Sequence, residues 1–142
     1  MIVHLDTSAL VDALTGPRRA LDRLMDLTRD GHRLAVSTIV LYEWLRGPRA
    51  RAELAAQEEL FPSERAVVFG HAEAAMAARL YKQLPRPRGR EIDLAVAACA
   101  AALPEDLAED VAERVGEAAE ALRAGEAAGA AEARGRDRKS VV

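Results

Sequence analysis

Short β-like apolar runs alternate with longer amphipathic stretches, and this order limits the chain most. Residues 2–5 (Ile-Val-His-Leu) and 33–37 (Arg-Leu-Ala-Val-Ser) read as strands, and 65–69 reads as a third β-like run. Between them lie stretches with helical spacing. Leu21, Leu24, Met25 and Leu27 fall on one face of residues 18–29. Helices are further expected over 8–15, from about 38 through Glu43, over 50–60, over 71–84 and after Arg90. Gly16-Pro17, Asp30-Gly31, Gly47-Pro48, Pro62 and Pro85 supply the breaks. Strands alternating with helices point to an α/β domain built on a parallel sheet.

Half of the 142 residues are hydrophobic, enough for one core. Aromatics make up only 4%, so Ala, Leu and Val must fill it. The net charge of −3 excludes a protein that grips nucleic acid by bulk charge. The charge is uneven, net +1 over residues 1–102 and −4 over 103–142. A single cysteine, Cys99, sits in an apolar helix and reads as a small core residue. With no signal peptide and no apolar run near 20 residues, a soluble cytoplasmic protein without membrane contact is expected.

Three acids stand out by their surroundings. Asp6 ends the first strand, Glu43 lies within Ile39-Val40-Leu41-Tyr42-Glu43-Trp44-Leu45, and Asp93 opens a nearly uncharged helix. Carboxylates among apolar residues need a compensating partner, and a hard divalent cation is an economical one. Each also has a plainer reading. Asp6 and Asp93 would serve as helix caps, and Glu43 as an acid on a helix surface. Asp12 and Glu91 are expected to point elsewhere. His4 and His71 lack a partner at metal-ligand spacing and are taken as structural. The loop Pro85-Arg86-Pro87-Arg88-Gly89-Arg90 carries three arginines just before Asp93. It reads as a solvated loop or as a phosphate contact.

Three segments resemble the PIN-domain ribonucleases, and within them the VapC toxins of type II toxin–antitoxin systems. They are Asp6-Thr7-Ser8-Ala9-Leu10-Val11-Asp12, Ser37-Thr38-Ile39-Val40-Leu41-Tyr42-Glu43-Trp44-Leu45-Arg46-Gly47 and Asp93-Leu94-Ala95-Val96-Ala97-Ala98-Cys99-Ala100. The resemblance covers about residues 1–102. It implies a PIN-like three-layer domain with a central parallel sheet. It also implies a Mg²⁺- or Mn²⁺-dependent endoribonuclease, with Asp6, Glu43 and Asp93 as catalytic metal ligands and Thr7 or Ser8 supporting the first carboxylate. The implied partners are an RNA substrate, a cognate VapB-type antitoxin and a second copy in a homodimer. The alternative is a decayed, non-catalytic toxin that retains antitoxin or RNA binding.

The C-terminal part departs from that pattern. The family continues with a further strand and a fourth acid in a Thr-x-Asn-x-x-Asp-Phe-like stretch, which this chain lacks. Asp106 in Pro104-Glu105-Asp106-Leu107 follows Asp93 too closely to leave room for that strand. Residues 103–142 are therefore expected to be an atypical Ala/Glu/Arg/Gly-rich tail, with the last strands missing or replaced by helix. Leu103, Leu107, Val111 and Val115 are spaced for one amphipathic helix, and little stable structure is expected beyond Ala124. The closing Asp137-Arg138-Lys139-Ser140-Val141-Val142 is what GAT-CGG-AAG-AGC-GTC-GTG, the string of a common sequencing adapter, would encode. The expectation is a frameshift or adapter origin for this tail, and different codons at 137–142 in the coding DNA would remove the adapter reading.

Overall fold

Two strands, β1 (Ile2–His4) and β2 (Arg33–Ala35), pair in parallel with Ile2 opposite Arg33, Val3 opposite Leu34 and His4 opposite Ala35. The computed structural model describes residues 1–16, 19–103 and 114–125. The ladder runs one rung past β1, because the Leu5 amide donates to the Ala35 carbonyl at 2.9 Å. On the other side of β2, Val67 adds a single parallel bridge to Ser37. Its amide donates to Val36 and its carbonyl accepts from Thr38, both at 2.9 Å. The β-like run expected at 65–69 is thus reduced to one bridge. The chain just before it is taken up by a 3-10 turn, Ser63–Arg65, which Glu58 ties down through the Ser63 hydroxyl at 2.6 Å.

Both strands lead directly into capped helices. Asp6 caps α1 (Thr7–Leu14) by accepting from the Ala9 amide at 2.8 Å. Ser37 caps α3 (Thr38–Arg46) by accepting from the Val40 amide at 3.4 Å. These caps satisfy amides that would otherwise lack partners, so each helix starts at a strand's carboxyl end. Between them α2 (Arg19–Arg29) returns the chain, and a turn at Gly31, with φ +80°, sends it into β2. Left-handed backbone of this kind favours glycine. Three helices follow: α4 (Arg51–Leu60), α5 (His71–Gln83) and α6 (Glu91–Ala101). Glu53 and Glu73 reach back to the Ala50 and Gly70 amides at the starts of α4 and α5.

The core lies between the sheet and the helices. Leu10, Leu14, Leu21, Leu34, Val40, Trp44 and Leu60 are fully or almost fully buried in one cluster. Residues 114–125 are helical and join the same cluster through Val115, Ala118, Ala119 and Leu122. This helix is tied to α4 by Arg114, which donates to the Glu59 carbonyl at 3.3 Å, and to α2 by Arg123, which lies 3.5 Å from Asp22. No strand follows Val67 among the described residues. The expected α/β class holds: the described residues are mostly helical with a small parallel sheet. Asp106, Leu107 and Val111, and everything expected beyond Gly125, lie outside the described residues. No helix of the described residues is long and apolar enough to cross a membrane.

Candidate metal centre and nuclease cleft

Asp6, Glu43 and Asp93 come from three separate elements and line one cleft of about 480 Å³. Asp6 sits where β1 hands over to α1, Glu43 is on α3, and Asp93 is in the first turn of α6. Thr7, Ser8, Val96 and Ala97 complete the lining. Val96 and Ala97 are three and four residues beyond Asp93 and therefore share its helix face. The cleft opens at the carboxyl ends of the parallel strands, where ligands commonly bind in α/β sheets.

The surroundings of the three acids differ from those expected. Asp6 and Asp93 are exposed, so neither requires a counter-ion on grounds of burial. Only Glu43 is withdrawn from solvent, its side chain 19% exposed. The Thr7 hydroxyl donates to one Glu43 oxygen, and Arg46 Nη2 lies 3.6 Å from the other. Of Thr7 and Ser8, the two residues expected to support the first carboxylate, Thr7 gives its proton to Glu43 instead. Asp6 keeps its capping bond to Ala9, so its plainer reading is true without excluding a ligand role. Asp93 is not a cap, since that position belongs to Arg90, and its carboxylate has no partner among the described residues.

The donor chemistry fits a hard divalent cation. Three carboxylates and two hydroxyls face one opening, and Mg²⁺ and Mn²⁺ prefer oxygen ligands. Among the described residues no three Asp, Glu, His or Cys side chains stand close enough to hold one ion. Both oxygens of Glu43 are already engaged, by Thr7 and Arg46.

The remaining candidates fall away from the cleft. His4, His71, Asp12 and Glu91 do not line it. His4 is held below the usual imidazole range by burial, against the opposing negative charge of Asp6. Cys99 is buried, and burial pushes its thiol up; a hydrogen bond with Ser37 acts the other way, and the charge of Glu73 adds a smaller upward push. The sequence reading missed Arg46, although the three-residue spacing from Glu43 on a helix could have revealed the pair.

The PIN domain family matches residues 3–108, well over half of the chain. PIN domains are generally metal-dependent nucleases. No curated protein and no solved structure matches the chain.

Proposed function

We propose that this chain, which belongs to the PIN domain family, is a divalent-metal-dependent endoribonuclease and the toxin of a type II toxin–antitoxin pair of the VapC kind. The observation that carries this reading is the meeting of Asp6, Glu43 and Asp93 in one cleft from three separate elements. Separated acids that converge at strand ends are what hydrolysis of a phosphodiester with a bound metal requires.

Asp6, Glu43 and Asp93 would hold Mg²⁺ or Mn²⁺. When bound, the ion supplies Lewis-acid polarisation of the phosphate and acidifies a water. The chain's own groups set the stage for that chemistry. Asp6 is fixed at the start of α1 by the bond from the Ala9 amide, and Thr7 fixes the orientation of Glu43. Asp93 has no competing partner among the described residues and is free to turn toward the opening. The cognate antitoxin would be a VapB-type protein, the toxin would act in the cytoplasm, and a homodimer is the expected assembly.

The test is incubation of the purified chain with total RNA and Mn²⁺ or Mg²⁺, beside Asp6→Asn and an EDTA control. Metal-dependent cleavage that disappears in the variant supports the reading. The second reading is a decayed toxin that binds antitoxin or RNA without cleaving. It is favoured by the absence, among the described residues, of three Asp, Glu, His or Cys side chains close enough to hold one ion. Antitoxin capture by a folded chain that leaves RNA intact would select it. A small antitoxin-like reading frame immediately upstream of the gene supports either toxin-derived reading.

A further inference from the structure

We propose that the loop from Pro85 to Arg90 is an arm that binds RNA phosphates and holds the strand against the acidic cleft; this rests on the nuclease reading above. The loop places Arg86, Arg88 and Arg90 at alternate positions of a non-helical segment. All three side chains are exposed, and none has a hydrogen-bond or ion-pair partner among the described residues. Arg29 and Arg46, by contrast, pair with Asp26 at 3.2 Å and with Glu43 at 3.6 Å. Arg90 directly precedes Glu91, yet the two do not pair. Glu91 lies instead along a shallow groove between α5 and α6, with Tyr81 and Lys82. Three exposed guanidinium groups on one short loop offer a polyanion several fork-shaped donors that no side chain of the described fold occupies.

The loop is also held in place. The Arg90 amide donates to the Pro87 carbonyl at 3.1 Å, and Gly89 between them takes φ +81°, which closes a turn. Pro85 and Pro87 fix their own φ angles. The Arg90 carbonyl accepts from the Leu94 amide at 2.9 Å, which joins the loop to the first turn of α6. Asp93 lies in that turn and lines the cleft. A phosphate held by the loop therefore belongs to a strand within a turn's length of the acids. The ligand is a polyanion rather than a lone ion, because the three arginines are spread over five residues, and with the whole chain at net −3 the attraction must come from such a local cluster. Phosphate contacts of this kind set position and affinity and carry no sequence preference.

The experiment is fluorescence anisotropy of the full chain with an end-labelled oligouridylate in EDTA, so that cleavage does not interfere. The variants are the triple Arg86→Gln, Arg88→Gln, Arg90→Gln and a control triple on α2 and α4, Arg23→Gln, Arg29→Gln, Arg51→Gln. Circular dichroism melts check that both fold. The expected result is a roughly tenfold loss of affinity in the loop triple, with little change in the control. The slope of log K against log salt should fall by about 2, the share of three single-strand phosphates. Wild-type affinity and slope in the loop triple, or an equal loss in the control, would overturn the proposal. Competition by polyglutamate equal to that by RNA would also overturn it and assign the loop to an acidic protein. A parallel cleavage assay with Mn²⁺ separates the two readings. Cleavage by the wild type with an unaffected loop triple removes only the arm. A folded wild type that neither binds nor cleaves RNA removes both.

Discussion

The Thr7 hydroxyl donates a hydrogen bond to the Glu43 carboxylate across 36 residues of sequence and joins the first turn of α1 to the middle of α3. This bond makes Thr7 a positioning residue for Glu43. Thr7→Val keeps the shape and removes the donor. It is expected to weaken Mn²⁺ binding, read by isothermal titration calorimetry, by about 10–100-fold, the usual cost of losing a group that orients a ligand. Thr7→Ser should restore most of it. Unchanged affinity in Thr7→Val would show that the bond does not serve the metal site.

Arg46 is expected to act in the opposite sense. Its guanidinium is 61% exposed and lies 3.6 Å from Glu43, where it competes with any cation. An exposed pair of this type is worth about 0.2–1 kcal/mol. Arg46→Gln should therefore raise Mn²⁺ affinity by up to about fivefold in low salt, with the gain shrinking as salt is added. A loss of affinity would contradict a competing role.

Substitution can separate the cap that Asp6 forms from the ligand role proposed for it. Asp6→Ala removes both the carboxylate and the cap on the Ala9 amide, and should cost about 1 kcal/mol of stability in urea. Asp6→Asn retains a capping oxygen and should melt close to the wild type. Both variants should lose RNA cleavage by more than about a hundredfold, beyond the cost of a merely orienting residue. Full activity in Asp6→Asn would remove Asp6 from the site.

The helix at 114–125 gives a direct test of whether that stretch supports the fold. Leu122 is 2% exposed and packs in the cluster that contains Leu10, Leu14 and Trp44. Leu122→Ala is expected to cost about 2–5 kcal/mol in denaturant unfolding. Trp44 is fully buried and the chain's single tryptophan, so its fluorescence reports the transition. A change within a few tenths of a kcal/mol would mean that the helix does not pack there.

Cys99 should be inert in the folded chain. Its burial keeps the thiol protonated above the usual range, so less thiolate is present at a given pH. Alkylation by iodoacetamide at pH 8 should be slow in buffer and fast in urea. Equal rates would place the thiol at the surface.

The helix starts and stops were legible because they rest on local chemistry. Asp6 caps α1 and Gly47-Pro48 ends α3 as read from the sequence, while Ser37, read as the end of a strand, turns out to cap α3. The third β-like run shrinks to one bridge because pairing is decided by what lies beside a strand, and among the described residues only Val67 pairs there, with Ser37 just past the end of β2. The packing of 114–125 was hidden by composition. Ala118 and Ala119 give little hydrophobic contrast, so only Val115 and Leu122 mark the buried face. At the cleft, sequence named the three acids and could not give their exposure or the direction of Thr7. Both depend on side-chain orientation, which residue spacing does not fix.

If Asp6 is a ligand as proposed, its second use as a helix cap shapes how such a gene could fall silent. A carboxylate with both uses could not be discarded freely, since most replacements would lower stability as well as activity. One base change converts an aspartate codon to asparagine, which keeps the helix start and removes the negative charge. A lineage that has lost activity but still needs a folded protein would be expected to carry asparagine at position 6 before it carries alanine.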